Sequence, residues 1–168
     1  MKRIGLFYGK TTVKTATVAE KIQKAFGEPK IELLSIEDAW QKDFDAYDCL
    51  IAGASTWFDG ELPSYWDEII PVLNTLNLKG KEVAIFGLGD QVNYPDNFVD
   101  GIGILAEAFE SAEAKLVGLT STDGYQFNQS KALRGEQFAG LAIDIENQDD
   151  QTDKRIGDWV EKLRKEWR

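Results

Sequence analysis

Short apolar runs alternate with stretches of helical periodicity along almost the whole chain, and that alternation leaves few folds open. Residues 2–8, 31–34, 47–52 and 82–86 are apolar and β-branched enough to read as strands. A helical pattern runs from Thr15 or Ala16, with Val18, Ala19, Ile22 and Phe26 on one face, until Gly27 and Pro29 stop it. A second helix is predicted over residues 62–76, with Trp66, Ile69, Ile70 and Leu73 in register and Pro71 as an irregularity. A third covers 97–112 through Phe98, Ile102, Leu105, Ala106 and Phe109, and a last one covers 152–168 through Ile156, Trp159, Val160, Leu163 and Trp167. Residues 36–40 read as a partly helical connection. A fifth strand begins over 115–120, is interrupted by a polar stretch at 121–137, and resumes from Phe138 to Ala142. Strands joined by helices in this way specify a parallel sheet covered on both faces, an α/β fold in three layers. The polar stretch is long for a loop and reads as an insertion.

With 168 residues, one domain with a full core is expected over 1–168. The chain contains no apolar run of about 20 residues and no signal-like start, so no membrane association and a cytoplasmic location are expected. Cys49 is the single cysteine and sits in an apolar run, which excludes a disulfide framework. There is no histidine. That removes the commonest general base, the usual nucleophile triads and most zinc sites. The net charge of -10 argues against nucleic acid. Acidic residues crowd between Asp43 and Ala114, where Lys79 and Lys81 are the only basic side chains. A basic partner docking over that segment is expected.

In an open parallel sheet ligands bind beyond the carboxyl ends of the strands, where the strand order reverses. Three unusual turns open at that edge. Gly9-Lys10-Thr11-Thr12-Val13-Lys14-Thr15 leads into a helix start, where free N–H groups and the helix dipole favour an anion such as phosphate. It is not a mononucleotide P-loop, because only three residues separate Gly5 from Gly9 and they belong to the strand. The turn after the third strand carries Thr56, Trp57, Phe58, Asp59 and Gly60. The turn after the fourth carries Leu88, Gly89, Asp90 and, beyond them, Tyr94 and Asn97. An indole and a phenol at neighbouring turns suit the two faces of a planar ring, and the glycines let backbone groups approach its polar edge.

These residues resemble the flavodoxin family over essentially the whole chain. The resemblance is carried by Phe7-Tyr8-Gly9 through Thr12 and Thr15, by Thr56-Trp57 with Gly60-Glu61-Leu62, and by Gly87-Leu88-Gly89-Asp90-Gln91 with Tyr94. It extends through Gly124-Tyr125-Gln126-Phe127 to Gly140-Leu141-Ala142-Ile143-Asp144, and the interrupted fifth strand is similar to that of long-chain members. It implies a flavodoxin-like sandwich with a five-stranded parallel sheet of order 2-1-3-4-5. It also implies one non-covalent FMN and a monomeric, low-potential one-electron carrier rather than an enzyme. Lys10, Thr11, Thr12, Val13, Lys14 and Thr15 would hold the phosphate. Trp57 and Tyr94 would stack on the ring, with Thr56, Gly60 and Asn97 completing the cradle. Leu88, Gly89 and Asp90 would meet its pyrimidine edge, and the Phe58–Asp59 peptide would face N5. Partners would be basic docking faces on ferredoxin/flavodoxin–NADP reductases and electron-accepting enzymes.

Two positions depart from the pattern. Val13 stands where the family commonly has Gly, so the loop either does without positive φ or holds its anion differently. Lys10 replaces a small or neutral residue. The resemblance also implies that the 58–59 peptide turns as N5 gains a proton, which suits glycine at the position of Phe58. Phe58→Gly is therefore expected to stabilise the semiquinone by on the order of 1 kcal/mol, read as a wider gap between the two potentials in a redox titration. Equal gaps in the two proteins would remove the expectation. A related flavoenzyme that reduces quinones would need room over the ring, which Trp57 and Tyr94 would cover. A signalling receiver domain of the same strand order would need an acidic pair where strand one ends in Phe7-Tyr8-Gly9.

Overall fold

The fold is taken from a computed structural model that describes residues 2–27, 31–57 and 60–167. Its elements are β1 (Ile4–Tyr8), α1 (Val13–Phe26), β2 (Ile31–Ser35), a 3-10 turn (Ile36–Asp38), α2 (Gln41–Asp45), β3 (Cys49–Ser55), α3 (Ser64–Leu73) and β4 (Glu82–Leu88). They continue with α4 (Asp100–Ser111), β5 (Lys115–Val117), β6 (Thr120–Ser121), β7 (Leu133–Arg134), β8 (Gln137–Phe138), β9 (Leu141–Ile143) and α5 (Ile145–Glu166).

The sheet has the order β2-β1-β3-β4-β5, with β9 also pairing β4. All its pairs are parallel, as crossovers through helices require. The expected fifth strand is indeed split: β5 pairs the first half of β4 through Glu82↔Lys115, and β9 pairs the second half through Phe86↔Leu141. Between them the insertion forms its own antiparallel sheet, β6-β8-β7. Phe138, read as part of the resuming strand, belongs to that small sheet, and the parallel sheet resumes only at Leu141.

Side chains alternate across each strand, so the sheet feeds two cores. Leu50, Ala52, Val83 and Ile85 pack with Trp66, Phe98 and Phe109 beneath α3 and α4. Leu6, Ile51, Ala84 and Phe86 pack with Val18, Ile22, Trp159 and Leu163 beneath α1 and α5. Burying these apolar faces at roughly 25 cal/mol per Å² is the dominant stabilising term.

Helix boundaries differ from the sequence reading where polarity hides the period. Helix α1 begins at Val13, two residues before Thr15. Helix α3 is shorter than 62–76, because Leu62 and Leu76 are buried by the flanking loops instead. Pro71 is tolerated inside it, and the helix ends two residues later. Helix α5 starts at Ile145 rather than Thr152, in a polar segment bent at Gln148.

Candidate functional site

The order β2-β1-β3 reverses the direction of chain travel at β1 and β3, which opens a crevice past their carboxyl ends. A cleft of 370 Å³ lies there, within the range of about 300–1,000 Å³ usual for small-molecule sites. It is lined by Thr12, Val13 and Lys14, by Ser55, Thr56 and Trp57, by Leu88, Gly89, Asp90, Tyr94 and Asn97, and by Ile145 and Glu146.

One end of the cleft is the start of α1. Thr12 precedes the helix in an extended conformation without a side-chain cap, and no acidic residue lies in the first turn. The N–H groups of Val13, Lys14 and Thr15 find no acceptor among the described residues; Ala16 N–H is the first to be satisfied, by the Thr12 carbonyl at 3.0 Å. An uncapped helix N-terminus opening into a cleft is suited to a phosphate. Val13 begins the helix with an ordinary backbone and is absent from the residues at positive φ, so the loop does without the conformation that glycine would favour.

Neighbouring elements hold this loop from behind. Gly9 sits so close to Tyr65 of α3 that a Cβ would come within 2.1 Å of its hydroxyl, and that hydroxyl bonds Thr12 Oγ1 at 2.8 Å. Thr15 is fully buried and bonds Ser55 Oγ at 2.8 Å, tying α1 to the end of β3. Lys10 and Thr11 turn away from the cleft. Their N–H groups donate to the Glu37 carboxylate at 3.1 and 3.2 Å, and Lys10 Nζ pairs with Asp38 at 2.8 Å. That bond to Asp38 raises the Lys10 pKa, so the ammonium is held charged outside the cleft. Lys14 pairs with Glu146, the first-turn acid of α5, across the cleft mouth.

The other end carries the aromatic pair. Trp57 is 40% exposed and Tyr94 46%, unusual for large rings that line a cavity. Trp57 exchanges backbone hydrogen bonds with Glu61 at 2.7 and 2.8 Å, which fixes these two residues against each other. Phe58 and Asp59 lie outside the described residues. Gly60 has φ +92°, and a Cβ there would meet Asp100 Oδ2 at 2.5 Å. Thr56 anchors the loop base: its N–H donates to the Leu88 carbonyl, and its hydroxyl accepts from Gly101 N–H at 2.9 Å.

The Gly89–Asp90 wall is fixed by a buried acid, Asp144, which closes a motif in the sequence but had no role assigned there. Asp144 is fully buried at the N-cap of α5. It accepts from Gln91 N–H at 3.1 Å, Gln91 Nε2 at 2.7 Å, and Asn147 N–H and Nδ2 at 3.1 and 3.0 Å. Gln91 in turn accepts from Gln126 N–H at 2.7 Å, bringing in the insertion. Asp90 accepts from Val92 N–H, from both nitrogens of Asn93, and from Asn147 Nδ2 at 2.8 Å. Partial burial works to raise the Asp90 pKa, but the bonds from Asn93, Asn147 and Val92 together outweigh it and leave the pKa lowered. A fixed negative charge thus stands at the cleft rim.

Of the residues expected at the site, Thr12, Val13, Lys14, Thr56, Trp57, Leu88, Gly89, Asp90, Tyr94 and Asn97 meet on one cleft, whereas the side chains of Lys10, Thr11 and Thr15, and Gly60, are not part of its lining. Ser55, Ile145 and Glu146 were missed. Glu146 is brought to the cleft by the start of α5, whose N-cap Asp144 precedes it by two residues, and no sequence pattern marked that start.

Comparison with known proteins agrees with this geometry. The sequence model of the family described as flavodoxin matches residues 6–159. The chain is 50% identical to the flavodoxin of Synechococcus elongatus over 168 residues, covering 99% of both. It is 41% identical to the flavodoxin of Klebsiella pneumoniae, covering 98% of both. Among solved structures, the flavodoxin of Fusobacterium nucleatum bound to flavin mononucleotide superposes with a TM-score of 0.93 at 32% identity, with 99% of each chain covered.

Proposed function

The chain belongs to the flavodoxin family, and from that premise we propose that it is a single-domain carrier that moves electrons one at a time on a non-covalently bound FMN. The observation that carries this reading is one cleft with an uncapped, acid-free helix N-terminus at one end and two half-exposed aromatic rings at the other. Flavodoxins are electron carriers rather than enzymes, and no side chain here needs to act on a substrate.

When bound, FMN supplies the redox chemistry, and the chain sets its terms. Val13, Lys14 and Thr15 N–H groups, with the Thr12 hydroxyl, hold the phosphate. Glu146 is placed to accept from sugar-chain hydroxyls, and its pairing with Lys14 keeps two charges from facing the phosphate unbalanced. Trp57 and Tyr94 cover the ring and exclude water. Backbone groups of Leu88 to Asp90 would hold the polar edge of the ring, and the Phe58–Asp59 peptide would supply a proton acceptor beside it. Asp90, held ionised, disfavours further negative charge on the ring, which makes the fully reduced carrier a strong donor.

No helix among the described residues is long and apolar enough to cross a membrane. The net charge of -10 favours a monomer through self-repulsion, and we place it in the cytoplasm, with an acidic face that steers it onto basic docking surfaces such as those of ferredoxin/flavodoxin–NADP reductases. Stopped-flow reduction by such a reductase is expected to slow by about tenfold or more as ionic strength rises from about 0.01 to 0.5 M. A rate independent of salt would remove the steering.

A further inference from the structure

The insertion meets α5 around a second cavity, of 400 Å³, remote in composition from the cleft described above. It lies between the β6–β8 ladder and α5, and its lining includes two cations, Arg155 and Lys162. Arg155 lies with its guanidinium carbon 4.0 Å above the centre of the Tyr125 ring. Stacking of this kind uses the face of the guanidinium and leaves its N–H edge free to bond in plane. No hydrogen bond or ion pair to that edge exists among the described residues, and Nη1 is buried with no acceptor at all.

Arg155 shares the cavity wall with other donors, and these set what the cavity can hold. Lys162, two turns along α5, also lines the cavity; it donates to the Leu119 carbonyl at 2.7 Å and keeps its remaining protons free. The Ser121 hydroxyl accepts from Asp123 N–H at 3.0 Å, which leaves its own proton to donate. Trp159, Leu119 and Leu141 form an apolar floor, with the Trp159 indole N–H already committed to the Gly118 carbonyl at 2.8 Å. Asp158 and Asp123 stand at the rim, the first neutralised by Lys154 at 2.7 Å. Two cations, one unneutralised carboxylate and an apolar floor favour a monoanion with a short aliphatic part and disfavour a dianion such as phosphate.

We propose that this cavity binds a carboxylate, held edge-on by the Arg155 fork, with Lys162 and the Ser121 hydroxyl completing its donors. A planar carboxylate matches the two parallel N–H vectors of a guanidinium better than any other common anion. The site lies on α5 and the insertion, shares no lining residue with the cleft at the ends of β1, β3 and β4, and does not depend on flavin binding.

The test is a titration of the ¹⁵N-labelled, FMN-loaded protein followed at the Trp159 indole N–H. One arm uses propionate, a free acid, and the other uses N-acetyl-glutamic acid α-amide, which presents a side-chain carboxylate as a protein would. Sodium chloride at matched ionic strength is the reference. A saturable shift of the Trp159 signal is expected in at least one arm, and which arm saturates tells a free acid from a protein-borne one. Arg155→Met should weaken binding about tenfold or more and Arg155→Lys should not restore it, because the ammonium lacks the fork. Lys162→Gln, which leaves the Tyr125 stack intact, should weaken it less, and keeps the test open if the Arg155 variants fail to fold. Shifts that stay linear and match the chloride reference in both arms, or saturation unchanged in Arg155→Met, would overturn the proposal and leave water as the only occupant.

Discussion

Replacing Trp57 by alanine is expected to weaken FMN binding by roughly tenfold to a hundredfold, with Tyr94→Ala close behind. Stacking of a flat heterocycle on an aromatic side chain contributes about 1–3 kcal/mol, and each ring here is half exposed until something covers it. The two rings sit on different loops. Trp57 is held by its bonds to Glu61, and Tyr94 by the turn that joins Tyr94 N–H to the Asp90 carbonyl at 2.9 Å. Both rings would share one flavin as partner, so the two losses are coupled and the double variant should depart from their sum. Quenching of flavin fluorescence on titration into apo-protein measures this directly. Affinities within twofold of the parent for both single variants would mean that the rings frame the cleft without touching the flavin.

The second large effect belongs to a residue that touches no ligand. Asp144→Ala is expected to destabilise the apo-protein by roughly 3 kcal/mol. The carboxylate caps α5 through Asn147 N–H, a contribution of about 0.5–2 kcal/mol, and satisfies two donors of the buried Gln91 that would otherwise be unpaired. Asp144→Asn retains the cap but trades an acceptor oxygen for a donor facing Gln91 Nε2, so it should fall between the parent and the alanine variant. FMN affinity should drop in step, because Asp144 and Asn147 together hold the Asp90 wall in place. Urea unfolding followed by circular dichroism reads the first effect. An unchanged midpoint in Asp144→Ala would show that the network is ornamental to the fold.

These two residues also mark how far the chain could be read without coordinates. The strands, the helices and the interruption of the fifth strand were legible because period-2 and period-3.6 patterns report burial directly, whereas the strand order came only with the family resemblance; Trp57 and Tyr94 stood out as aromatics just past strand ends. Asp144 was visible as the end of a recognisable motif, yet its role was not, since a buried acid satisfied entirely by amides leaves no charge partner in the sequence. The start of α5 at Ile145 was hidden for a related reason. The segment Glu146-Asn147-Gln148-Asp149-Asp150-Gln151 carries no apolar period, and its helix is held by the cap at Asp144 and bent at Gln148.

The phosphate loop divided in the same way. Its location followed from the helix start, and Thr12, Val13 and Lys14 do line the cleft. The direction of Lys10 and Thr11 depended on Glu37 and Asp38, which are distant in sequence and come near only because β2 pairs β1 in register, Tyr8 opposite Ser35. Lys14 was legible as a charge at the helix start, but its partner Glu146 lies 132 positions away on another helix. Contacts set by tertiary pairing between polar residues have no periodic signature.

The central claim is that the crevice past β1, β3 and β4 holds one FMN, phosphate against the start of α1 and ring between Trp57 and Tyr94. Titrating purified apo-protein with FMN, while following flavin fluorescence and visible absorbance together, tests it most directly. The account predicts strong quenching that saturates at one equivalent, with a yellow protein surviving gel filtration and the saturation weakened in Trp57→Ala. Fluorescence that rises in proportion to added FMN, with colourless folded protein recovered from the column, would contradict it.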